Sequence, residues 1–495
     1  MKQLLLIVLL LNLNMVVAQT LEFSPHTVKA FEAALALKTN ETHHWVALEQ
    51  AANPLNLMPL LVENYLDFFR VFIQEEPRYL FHLQSKKDDR INQINRVSDA
   101  NPLKKWALAS IYLQSSIARS KFNEQWSAAV EMRKAFLLLE ENYALFPAFE
   151  PNNIGRGLLY ILVGSIPPNY QWVVKLASMK GSVAEGRTML KTALLSKESL
   201  PYQNILRMEA LFYLSFVELN LFPDKQAAAD LLEFYSPADV NNPLLLYAKA
   251  SIEMRTGQND AAFQTLSSRK TLPSEIPFYY LDYLDAEAHL RQLDPKALEL
   301  YSNFLAHFKG LNYRVDAARK MAWIALLNKD TASYHEQMNA LKTMQLGAVE
   351  ADQQAMKEAL RNNLPSVELL KARLLFDGGY YVRCQEVLNQ IGRSFTGLSL
   401  KEKEEYTYRS GRLAHALGNE KQALYYYRLS YTVYQNSPLY YAANAALLAG
   451  EIYEMNHQKK EAERMFNLCL SLKPEEYRQG IHAKAKAGLD RLQSR

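Results

Sequence analysis

Few residues of this sequence stand in a pattern that performs chemistry. No Gly precedes a Lys, so there is no glycine-rich loop with the lysine that reaches a nucleotide phosphate. Gly155-x-Gly157 lacks the third glycine of a dinucleotide fingerprint. Gly-x-Ser-x-Gly does not occur. His335-Glu336 has no second His one turn on, so the two imidazoles that would hold zinc on one helix face are missing. His43-His44, with Glu41 or Glu49, has the ligand types of a metal site but reads better as a solvated helix start. Ser267-x-x-Lys270 matches a nucleophile pattern by count alone, with no companion motif. Cys384 and Cys469 lie far apart on packing positions, which suits small buried hydrophobes rather than reactive thiols. The expectation is a chain with no catalytic residue, no cofactor and no metal.

What the sequence has instead is a repeat. In VELLKARLLFDGGYYVRCQEVLNQI (367–391), YTYRSGRLAHALGNEKQALYYYRLSY (406–431) and YAANAALLAGEIYEMNHQKKEAERMFNLCL (441–470), one small residue follows another by twelve positions. The pairs are Ala372/Cys384, Gly411/Ala423 and Gly450/Ala462. The second members recur every 39 residues, each followed four positions later by a bulky residue: Leu388, Tyr427 and Phe466. Small residues let two antiparallel helices approach closely, and the bulky residue one turn on fills the gap to the next pair. Gly378-Gly379, Gly418-Asn419 and Asn456-His457 mark the turns, and Pro438 and Pro474 punctuate the exits.

This spacing resembles the tetratricopeptide repeat (TPR), best in 443–474, where Gly450, Tyr453, Ala462, Phe466 and Pro474 stand on the family's positions. Weaker copies lie upstream. Residues 244–266 carry Ala250/Ala262 with Gly257 at the turn, and 280–305 carry Ala297 and Tyr301 but Asp285 where a small residue belongs. Residues 314–330 and 331–344 form a further helical pair without the signature, helical period continues through 349–361, and the polar tail 481–492 suits a helix that closes the stack. The resemblance implies an all-α, right-handed α-solenoid of antiparallel helix pairs. The copies are degenerate and, near the C-terminus, lengthened.

The resemblance also implies that first helices line a recognition surface. Counting from the small residues, that surface carries Tyr247, Ser251, Arg255, Leu369, Arg373, Tyr408, Arg412, His415, Asn444, Leu447, Glu451 and Glu454. Tyr247, Arg255, Arg373, Tyr408, Arg412, His415, Asn444 and Glu451 are its binding candidates, a mixture of aromatic, basic and acidic groups suited to an extended peptide. Leu369, Tyr408 and Leu447 stand where the family's carboxylate clamp has lysine, so capture of a C-terminal carboxylate in that manner is not implied.

The N-terminal third is helical in period without a clear repeat. Asn101-Pro102 opens the first of two long helices in 101–149. Residues 155–194 have an apolar run from Leu158 to Val163, a Pro167-Pro168 break and glycines at 181 and 186. With Gly157, Val174, Lys175, Leu176 and Gly186 they resemble the N-terminal region of the inclusion-body-clearance family of TPR-like proteins. The run 158–163 reads as a core helix, with membrane association the alternative.

Met1-Lys2, an apolar stretch from Leu4 and small residues before Gln19 read as a cleaved signal over residues 1–18. A membrane anchor is the alternative, but the run is short of the about 20 residues a span needs. The domains expected are 1–18 signal, 19–200 helical N-terminal region, 201–345 degenerate repeats and 346–495 repeats with a closing helix. Two cysteines cannot staple an exported chain of 495 residues, so stability must come from packing. With 49% hydrophobic and 22% charged residues the chain folds throughout, and 17 Gly with 19 Pro are too few for a turn-rich β protein. A net charge of +4, from 56 basic and 52 acidic residues, gives no field that calls for nucleic acid.

The function expected is a non-enzymatic, exported scaffold in a periplasm that holds a protein or peptide partner, as part of an envelope complex. No nucleic acid partner and no transmembrane segment in the mature chain are expected. The alternatives are a secreted or outer-membrane-associated chain, and an all-helical glycan-binding protein or carbohydrate-active enzyme.

Overall fold

A computed structural model describes residues 18–166, 179–222, 224–269, 275–361 and 363–493. The signal reading over 1–18, apart from Ala18, lies outside them, as do Pro167, Pro168, Val174, Lys175, Leu176 and Lys270. Among the described residues the regular elements are helices, 24 of them α-helical, and there is no strand. The chain is all-α and is built as an α-solenoid of antiparallel helix pairs. Contacts divide it into two compact units. One comprises Met1–Thr256, Ala261–Leu284 and Asn303–Leu311; the other comprises Gly257–Asp260, Asp285–Ser302 and Asn312–Arg495.

In the first unit local sequence sets the helix starts. Ser24 accepts from the backbone N–H of Thr27 ahead of Pro25–Leu35, and Asn101 accepts from Leu103 N–H ahead of Pro102–Lys121, each with Pro in the first turn. Pro102–Lys121 packs antiparallel on Gln125–Leu145, the pair of long helices expected in 101–149. The apolar run Leu158–Val163 lies in Asn152–Gly164, with Leu158, Leu159, Ile161 and Val163 buried. That helix crosses Val183–Leu195 at Gly157 and Gly186, where a Cβ on Gly186 would stand 2.4 Å from the Gly157 carbonyl oxygen. No helix among the described residues is long and apolar enough to cross a membrane.

The second unit holds the clear repeats: Val367–Asp377 with Tyr381–Arg393, Leu400–Ala416 with Glu420–Val433, and Tyr441–Met455 with Lys459–Ser471. Left-handed backbone occurs where the turn residues predict it, at Gly379 (φ 80°), Gly418 (φ 74°) and His457 (φ 57°). Small and bulky residues meet as the spacing requires. Tyr427 is fully buried against Gly411, and Phe466 against Gly450. Cys384 and Cys469 are buried free thiols, and burial pushes both pKa values up to about 12, which keeps them inert. The closing helix, Arg478–Gln493, buries Ile481, Ala485 and Leu492 against the last pair, and Arg491 grips Glu454 through two bonds of 2.8 and 2.6 Å.

Candidate functional site: a cavity in the second unit

Repeats of 39 residues carry about five more than a 34-residue TPR. The surplus goes into the loops that join one pair to the next, where Pro365 and Pro438 prevent the helices from running on. Those loops and the starts of three first helices, Val367–Asp377, Leu400–Ala416 and Tyr441–Met455, enclose a cavity of about 1280 Å³. Its floor is completed by Arg319 and Trp323 from Arg314–Leu327 and by Glu358 and Arg361 from Glu350–Arg361.

Trp323 is buried and donates through Nε1 to Glu358 Oε1 at 2.7 Å. Its ring is flanked by the guanidinium groups of Arg319 at 4.6 Å and Arg373 at 4.8 Å. Arg319 pairs with Asp316 and with Glu358 Oε2 at 3.3 Å. Tyr440 packs on Tyr441 with ring centroids 4.5 Å apart and on Tyr477 at 5.0 Å, an aromatic wall. At the mouth Leu364, Leu400 and Val433 are exposed by 48%, 73% and 60%, a set of large apolar side chains left to solvent around one opening.

The carboxylates of the lining differ in their commitments. Glu405 holds Arg409, Glu475 and Glu476 hold Arg361, Glu358 holds Arg319 and Trp323, and Glu402 caps its helix by accepting from Ser399 N and Oγ at 2.9 and 2.7 Å. Glu404 is 3% exposed; its Oε2 accepts from Ser437 Oγ at 2.8 Å, and its Oε1 is buried with no hydrogen-bond partner. Burial pushes its pKa up to about 7, with the Ser437 hydrogen bond and Lys401 opposing and Glu405 adding to the rise. Besides its place over Trp323, Arg373 makes a long ion-pair contact of 3.9 Å to Asp377.

Of the eight residues predicted from the sequence, Arg373 lines this cavity. The others stand elsewhere. Tyr408 is a correction: at 1% exposed it belongs to the core, because its register places the ring against Tyr440 and Tyr441 rather than on an open face. Its hydroxyl accepts from Arg412 Nη1 at 3.1 Å and from Asn444 Nδ2, so Tyr408, Arg412 and Asn444 are brought together. Arg412 also lies 4.6 Å from the Phe376 ring. His415 is within 3.3 Å of the Tyr427 hydroxyl, and burial followed by Arg412 lowers its pKa. Glu451 is half-buried, its pKa raised by burial against the pull of Lys484 and Arg491. Leu369 and Leu447, counted on the same face, are core residues. Tyr247 and Arg255 belong to the first unit, where Tyr247 packs on Phe278 with centroids 5.1 Å apart and Arg255 is exposed.

Glu404, Trp323 and the apolar rim were not singled out from the sequence, whereas Tyr440-Tyr441, at the opening of a first helix, was among the tyrosines read there as packing or groove residues. The signal for the site was the surplus length of the copies, which places connection residues such as Leu364 and Ser437 beside the helix ends Leu400 and Val433. Nothing in the sequence marks Trp323. Among the described residues no group of three or more His, Cys, Asp or Glu is placed to hold a metal.

No protein-family model matches the chain, and no curated protein matches it. Among solved structures it is similar to the crystal structure of the P58(IPK) TPR domain, at 14% identity, covering 86% of this chain and 99% of that chain with a TM-score of 0.22. The fold assignment rests on the helix pairs themselves: small residues at the crossings, left-handed turns and bulky wedges, in the order the repeat requires. The chain is an all-α protein of antiparallel helix pairs.

Proposed function

We propose that this protein is a non-enzymatic scaffold, exported to a periplasm, that holds an extended segment of a protein partner in the cavity of its second unit. The observation that carries this reading is the cavity itself, 1280 Å³ in volume and rimmed by exposed Leu364, Leu400 and Val433. Apolar side chains left uncovered around an opening lose area to water when a partner is seated, at about 25 cal/mol per Å². Arg373, backed by buried Trp323, and the tyrosine wall supply contact groups of the types that recur at binding hot spots. Export rests on the N-terminal sequence, and membership of an envelope complex follows from a periplasmic partner.

The test is affinity capture by the tagged full chain in its native cells, read by mass spectrometry beside a Leu400→Glu/Val433→Glu variant. The reading expects one or a few proteins to be lost with the variant while helicity and melting are retained. Identical capture by both chains, or retention of carbohydrate and no protein, overturns it.

A further inference from the structure

We propose that the cavity selects its partner by a cationic side chain, an arginine or lysine of the bound segment whose head group pairs with Oε1 of Glu404. This rests on the reading of the cavity as a peptide site and adds the chemistry of the peptide. Glu404 is 3% exposed, lines the cavity, and has one oxygen satisfied by Ser437 Oγ at 2.8 Å and the other by nothing. A buried acceptor without a donor is costly, and a buried carboxylate without a cation more so. The other carboxylates of the lining are already engaged by Arg319, Arg361, Arg409 or the Ser399 cap, and among the described residues no cation lies within ion-pair reach of Glu404. Lys401 on the same helix is exposed, and Glu405 beside it is committed to Arg409.

The chemistry that completes this site is a donor bearing positive charge on a long apolar stem. The stem would pass the exposed rim, and a guanidinium would offer donors enough to serve Oε1 and still reach the backbone of the loop. A neutral or acidic segment would leave Glu404 as it stands.

The probe is an array of random peptides of about twelve residues, acetylated and amidated so that termini carry no charge, each spanning about 40 Å when extended. It is presented to the tagged full chain and to Glu404→Gln, which keeps an acceptor for Ser437. The proposal expects bound sequences enriched in Arg or Lys. Replacing that Arg by citrulline should weaken binding to the natural chain by about tenfold, the size of a charge-assisted hydrogen bond, and binding to Glu404→Gln far less. Peptides that bind without cationic enrichment, or a citrulline loss equal in both chains, overturn the cationic assignment and leave the peptide site standing. No peptide bound by the natural chain overturns the peptide site and the assignment together. The enrichment and the citrulline loss are read on the natural chain, so a poorly folding variant does not spoil the test.

Discussion

Phe466 occupies the space that Gly450 leaves open: a Cβ at Gly450 would stand 2.6 Å from ring carbon Cε1, and one at Gly488 of the closing helix would stand 2.6 Å from the other edge. A single aromatic ring thus separates the first helix of the last pair from the helix that closes the unit. Any side chain at either glycine must displace it.

Gly450→Ala is therefore expected to destabilise the second unit by about 1–3 kcal/mol, the usual cost of overpacking. Gly480→Ala, in the first turns of the closing helix with nothing within 4 Å of its added Cβ, should stabilise by about 0.5–1 kcal/mol through helix propensity. Circular dichroism melts of the full chain check both, and shifts of the same sign would contradict the packing described.

Tyr408→Phe removes the hydroxyl that gathers Arg412 and Asn444 and leaves the ring in the core. The expected loss is about 1–3 kcal/mol in unfolding free energy, with partner capture unchanged. A variant that melts normally but fails to capture would return Tyr408 to the binding surface.

The repeat was legible because its constraints are local and chemical. Gly411 under Tyr427, Gly450 under Phe466 and left-handed Gly418 each demand one residue type at one position, and their spacing survives in a degenerate copy. The site was less legible. The register put Tyr408 and Asn444 on neighbouring first helices, where they do meet, but could not say that Tyr408 is covered by Tyr440 and Tyr441. Glu404 carries no sequence signal at all. Its isolation depends on which neighbours the folded chain assigns to Arg361, Arg409 and Arg319.

Glu404 also gives the second unit a pH dependence of definite sign. A carboxyl whose pKa is raised from 4.5 to about 7 by burial favours the protonated folded state. Its stabilising contribution is fully present below 4.5 and is lost as the pH rises through about 7. In the free chain, Glu404→Gln should melt close to the natural protein at pH 5 and a few °C above it at pH 8. Melts that differ at pH 5 and converge at pH 8 would contradict this.

A cationic peptide reverses that balance, because it binds the ionised carboxylate. Its affinity is expected to rise about tenfold between pH 6 and pH 8, as the ionised fraction grows from about a tenth to about nine tenths. Titration calorimetry with the arginine peptide at the two pH values checks it, and the citrulline peptide should show no such rise.

Leu400 and Val433 are exposed, so Leu400→Glu/Val433→Glu should change unfolding free energy by no more than about 0.5 kcal/mol each while abolishing capture. A large loss of stability would mean that the rim is already covered by the chain itself.

The most direct measurement of the central claim is photo-crosslinking in the native cells, with a photoreactive phenylalanine analogue placed in turn at Leu400, at Val433 and at Val382, which is 74% exposed but outside the cavity lining. Positions 400 and 433 are expected to crosslink to the same protein, and position 382 is not. Crosslinks that are absent at 400 and 433, or that are the same at all three positions, would contradict a partner seated in the cavity.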